Sequence, residues 1–185
     1  MERASRIAGI SVLVALLVAG PTAAQPPAER TPPLSPLIAD SLAPLLAMLI
    51  TAERDNAKAQ GVEPIPAAIR AALQGYVPEE TLDRVRWREG GTVLSLPQNV
   101  IRFGHVPAMT LDDVIVFQER RAALEDPKLW AHELTHVVQF ARWGVSGFAT
   151  QYLRDYEAVE REAAEFRWQF MKEKGLVPAV APPRE

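Results

Sequence analysis

The sequence predicts an α+β fold, and three observations carry that prediction. Apolar residues recur at helical spacing near the start of the chain, from Leu37 to Ile50, and again over two long stretches after residue 126. Between these blocks lie short runs of strand type, so helices and strands occupy separate parts of the chain. No internal repeat and no second domain is visible among the 185 residues.

The first 24 residues read as a signal peptide. Arg3 and Arg6 form a positive start, Ile7 to Ala19 is almost wholly apolar, and Thr22-Ala23-Ala24 offers small residues for cleavage after Ala24. The run is too short for a membrane span, which needs about 20 residues, so an exported protein without a membrane span after cleavage is expected. With no cysteine after the apolar run, a lipoprotein anchored through such a cysteine is not expected, and neither is a disulfide framework. Cleavage would remove 24 of 185 residues, leaving 161, and would take the net charge from −3 to −4 by removing Arg3, Arg6 and Glu2. That mild acidity gives no footprint for nucleic acid.

Residues 25–36 carry five prolines and are expected to be an extended linker. A domain is expected over residues 37–175, followed by a disordered tail at 176–185. Leu37, Ile38, Leu42, Leu45, Leu46, Leu49 and Ile50 form the stripe of a first helix, which Pro44 should kink or split. A second helix is expected from Ala67 to Gln74, stopped by Gly75. Strands are expected at Arg84–Arg88, Thr92–Leu96 and Asn99–Phe103, with Gly90-Gly91 as a hairpin turn, and at Val114–Phe117.

The next helix is announced by Asp126 as cap and Pro127 at its first position, where a missing N–H costs nothing. It should end at Arg142 and Gly144. Apolar residues surround it, which marks a buried helix. Within it lies His132-Glu133-Leu134-Thr135-His136. Residues four apart share a helix face, so His132 and His136 can offer two imidazoles to one metal ion. Glu133 stands where it can take a proton from a metal-bound water. The alternative, two core histidines, would bury polar groups at a cost that pairing or a metal must offset.

A catalytic zinc typically takes three protein ligands, so a third is needed. His105, in a Gly-His-Val-Pro turn, is one candidate. The stretch from Asp155 to Gly175 is the other, a helix capped by Asp155. Turned at about 100° per residue, it places Glu160 in the apolar arc with Val159, Ala163, Phe166 and Phe170, while Glu162 and Glu165 face away and Glu157 sits on the border. Glu160 is therefore the candidate ligand and Glu157 the second; the bland reading makes Glu160 a partner for Arg167. Tyr152 and Tyr156 are candidates for stabilising an oxyanion.

The residues Leu129 to Gln139, then Gly144-Val145, Phe148-Ala149, Tyr152 and Glu160-Arg161-Glu162-Ala163, resemble small bacterial gluzincin-like domains. The nearest likeness is to the extracellular contractile injection system core domain family. Arg84-Val85-Arg86-Trp87, Met109-Thr110-Leu111 and Ile115-Val116-Phe117 look like the same group, and the likeness covers roughly residues 65 to 170.

The resemblance implies a zincin-like fold with His132, His136 and Glu160 as zinc ligands and Glu133 as general base. It also implies association with a secretion system. Related domains often carry an acid four residues after the ligand glutamate; here that position is Ala164, so support for a ligating histidine is absent from its usual place. The strand Val114–Phe117, through Val114 and Val116, is the implied edge strand that pairs with a peptide or protein substrate. Two functions are expected from this set: an exported zinc metallopeptidase, or a non-catalytic zinc-stabilised binding or delivery module of the same fold.

Overall fold

Ten elements are found among the residues described, 35–90 and 107–177, of a computed structural model. They are helix α1 (Pro36–Ala59), strand β1 (Glu63–Pro64), helices α2 (Ala67–Leu73) and α3 (Glu79–Arg84), and strands β2 (Arg86–Glu89), β3 (Ala108–Leu111) and β4 (Val114–Phe117). Helices α4 (Arg120–Glu125), α5 (Pro127–Arg154) and α6 (Tyr156–Glu173) complete the set. The fold is mixed α+β, with helices around one small four-stranded sheet. The signal-peptide and linker readings up to residue 34, Gly91, the strands Thr92–Leu96 and Asn99–Phe103, His105 and the tail from 178 lie outside the described residues.

Helix α1 buries Ala39, Ala43, Leu46, Ala47 and Ile50, a narrow face whose alanines let α5 come close. Pro44 does not split it: the helix runs unbroken for 24 residues. Pro44 is exposed, so the ring and the lost hydrogen bond fall on the solvent side, where water can satisfy the freed carbonyl. By length and composition α1 could cross a membrane. Its packing on α5 and its ion pairs from Arg54 to Asp112 and from Lys58 to Asp113, both 2.8 Å, instead make it a wall of the domain.

The sheet order is β1-β2-β4-β3, with β2 and β4 parallel and the other pairs antiparallel. Two expectations are corrected here. Arg84 closes α3, so the strand begins at Arg86. The hairpin expected at Gly90-Gly91 runs into residues outside the described ones. Val114–Phe117 is not an edge strand, because β4 pairs on both sides and its backbone groups are already used. The continuous apolar run that includes Val114 and Val116 is what a strand covered on both faces requires. The strand beside the histidines is β3, which among the described residues pairs only with β4.

Trp87, Phe117 and Trp130 meet between the sheet and the first arm of α5, at ring separations of 4.9–6.5 Å. Both indole N–H groups are satisfied, Trp87 by the Pro64 carbonyl at 3.0 Å and Trp130 by that of Ala123 at 2.7 Å. A second cluster joins α1 to Phe140, Phe148 and Leu153. Gly144 joins the two arms of α5. With φ 67° and ψ 169° it breaks the helix, as expected, but a further helical arm follows at once and runs to Arg154.

Candidate metal centre

Local sequence sets the phase of the two helices that build the site. The Asp126 carboxylate accepts from the backbone N–H of Lys128 and Leu129 at 3.0 and 3.2 Å, starting α5 at Pro127. Asp155 accepts from the N–H of Ala158 at 2.9 Å and starts α6. Ala163 is wholly buried, which lets α6 lie close against α5.

On this frame three side chains converge. The Nε2 atoms of His132 and His136 are 3.2 Å apart. Glu160 Oε2 is 3.3 Å from His132 Nε2, and Glu160 Oε1 is 3.5 Å from His136 Nε2. The three donors form one group that can hold a metal ion. Glu160 lies where the helical phase placed it, and Glu157 is exposed outside the group. Burial raises the pKa of Glu160, but the hydrogen bond with His132 and the charges of His136, His132 and Arg167 outweigh it. The carboxyl is held below its ordinary value. Arg167 thus touches the site electrostatically without replacing the histidines as partner.

Glu133 is only 4 % exposed and stands beside the donors without joining them. Its Oε2 accepts a hydrogen bond from Thr110 Oγ1 at 2.8 Å, with the Glu133 backbone carbonyl 3.2 Å from the same hydroxyl. Thr110 sits on β3; the sequence places it in the family-like run Met109-Thr110-Leu111 but gives it no role. The available signal was a polar side chain between the apolar Met109 and Leu111 of a strand.

His136 is held from behind. Its Nδ1 lies 2.8 Å from Gln139 Oε1, and Gln139 Nε2 donates to the Val159 carbonyl and to Glu162 Oε2, both at 3.1 Å. Arg142 in turn donates to both oxygens of Glu162, at 2.8 and 3.2 Å. Glu162 was expected to face solvent; it faces α5 instead, since α6 packs closely enough for a flanking side chain to reach across. Burial raises its pKa, but hydrogen bonds from Arg142 and Gln139 and the Arg142 charge overcome this and lower it. His132 Nδ1, by contrast, is buried with no hydrogen-bond partner among the described residues. That orphan matches the missing acid at Ala164.

The donors open into a cleft of about 160 Å³. Leu46, Ile50, Leu111 and Phe148 supply apolar wall, and Tyr152 and Tyr156 line it with rings 5.0 Å apart. Val114 and Val116 do not line it; Met109, Thr110 and Leu111 of β3 do.

Comparison with curated proteins and with solved structures finds no match. Residues 64–144 match the family model of the eCIS core domain. The matched segment runs from β1 to the Gly144 bend and holds His132, Glu133 and His136, while Glu160 lies beyond it. The likeness to the eCIS core domain thus covers the segment that carries the histidine pair and its neighbouring carboxylate.

Proposed function

We propose that this chain is an exported zinc-dependent metallopeptidase of zincin-like fold, working in association with an injection or secretion system. One observation carries the reading. A tetrahedral ion with ligand bonds of about 2.0–2.1 Å sets its ligand atoms roughly 3.3–3.4 Å apart; here the two Nε2 atoms are 3.2 Å apart, and the Glu160 carboxylate sets one oxygen 3.3 Å from His132 Nε2 and the other 3.5 Å from His136 Nε2. Two imidazoles and one carboxylate are a donor set that suits zinc and leaves a fourth position for water. Bound there, zinc would polarise a peptide carbonyl and acidify the attacking water.

The chain's own residues divide the remaining work. Glu133 accepts the proton of the attacking water, and the Thr110 hydroxyl keeps its carboxylate turned towards the cleft. Tyr152 and Tyr156 supply phenols near the developing oxyanion. The backbone of β3, rather than that of β4, aligns an extended peptide or protein substrate, and the apolar wall excludes water from it. Association with an injection apparatus rests on the family match.

A second reading, the non-catalytic zinc-stabilised binding or delivery module, is favoured by one feature, a His132 Nδ1 with no hydrogen-bond partner among the described residues. A ligand held on one side only makes a looser catalytic site. Glu133→Gln separates the two. For the peptidase, the variant keeps its metal and fold while cleavage of an unstructured protein falls by about 10²–10⁴-fold. Wild-type protein that holds zinc, cuts nothing in a broad peptide library, and acts no differently from Glu133→Gln in the biological role would give the module reading its place. Export is part of the proposal, on the positive start, apolar run and small residues of positions 1–24. Intact mass of exported protein beginning at Gln25 tests it, and a product retaining Met1 to Ala24 would contradict it.

A further inference from the structure

Gln139 is wholly buried, in a helix whose other buried polar residues are Glu133, Thr135 and His136. A buried amide is costly unless all its hydrogen-bonding groups are used, and here they are. Its two N–H groups face two acceptors, the Val159 carbonyl and the Glu162 carboxylate. The flipped amide would set its oxygen against both of those acceptors, so Oε1 must face His136. An amide oxygen only accepts. His136 Nδ1 must therefore carry a hydrogen, which in the neutral imidazole leaves the lone pair on Nε2, the atom that faces His132 and Glu160. The same amide grips the backbone carbonyl immediately before Glu160, so it also fixes where α6 presents that residue. Arg142, paired with both oxygens of Glu162, keeps the acceptor in place.

We propose that Gln139, braced by Glu162 and Arg142, is the positioning residue of this centre. It sets the His136 tautomer and locks α5 to α6 so that three donors meet at one point. The inference rests on the metal-site reading, but its first test needs no metal. In metal-free wild-type protein, the imidazole nitrogen and proton signals of His136 should show the Nδ1–H tautomer; an Nε2–H tautomer would overturn the proposal.

The second test is zinc affinity by competition with a chelator. Gln139→Leu, similar in volume and without the amide, should weaken zinc binding by about 10–100-fold and show a mixed His136 tautomer without metal. Glu162→Gln replaces an obligate acceptor with a group that can also donate, and should weaken binding to a smaller extent. Wild-type affinity in Gln139→Leu would overturn the proposal. Should Gln139→Leu fail to fold, the wild-type tautomer and Glu162→Gln still decide, and unchanged affinity in the latter counts against the brace. If the wild type binds no zinc but shows Nδ1–H, the metal reading falls while the tautomer assignment stands.

Discussion

The hydroxyl of Thr110, on β3, stands 2.8 Å from Oε2 of Glu133, on α5. The sheet thus holds the buried carboxylate of the motif helix in one orientation. A hydrogen bond to a charged group contributes roughly 1.5–3 kcal/mol, and about 1.4 kcal/mol is a tenfold change in rate. Thr110→Val should therefore cut peptide hydrolysis by about tenfold or more while leaving zinc content unchanged. Thr110→Ser should restore most of the rate. Steady-state kinetics beside metal analysis would check this, and a Thr110→Val enzyme at wild-type rate would remove Thr110 from the account.

Gly144 carries a prediction about stability. Its φ of 67° with ψ of 169° lies in a region open almost only to glycine. A Cβ added there would meet nothing within 4 Å, so the cost of substitution is purely one of backbone. Gly144→Ala should lose about 1–3 kcal/mol in chemical denaturation. The loss should appear with zinc bound or removed, because the strain does not depend on the ligands. An unchanged midpoint would mean that the bend is not maintained in solution.

Much of the site could be read in the chain because its determinants are local. The caps Asp126 and Asp155, the four-residue spacing of the histidines and the phase of Glu160 against Glu157 all follow from helix geometry. What was not legible depends on partners distant in sequence. Strands of two to four residues do not declare their order, and β4 became an edge strand in the sequence reading although Val114–Phe117 has the unbroken apolar run of an interior strand. Glu162 was assigned to solvent because a helical wheel knows one helix, whereas Gln139 and Arg142 reach it from another. Gly144 was read as a stop, since a glycine that ends a helix and one that bends it leave the same mark. His136 takes its support one turn along α5, from Gln139, while His132 Nδ1 has no partner among the described residues.

Acid pH should act on the clamp between α1 and the end of α5. Arg154 donates to both oxygens of Asp40, at 2.8 and 2.7 Å, and that hydrogen bond holds the Asp40 carboxyl below its ordinary value of 3.8. A depressed folded-state pKa means a contribution present above the unfolded value and lost as pH falls through the folded one. Wild type and Asp40→Asn should therefore differ in Tm at neutral pH, by a small amount for an exposed pair. The gap should close as the pH drops below about 4. A gap that persists unchanged at low pH would show that packing, not charge, gives Asp40 its part.

The most direct test is zinc stoichiometry after dialysis in wild type, Glu160→Ala and Glu157→Ala. The wild type should retain about one zinc per chain, as three convergent donors require. Glu160→Ala should lose most of it and unfold at lower temperature, because a ligand that binds only the folded state stabilises it. Glu157→Ala, altering an exposed side chain outside the donor group, should match the wild type. Full zinc occupancy in Glu160→Ala, or none in the wild type, would contradict the central claim that His132, His136 and Glu160 form one metal centre.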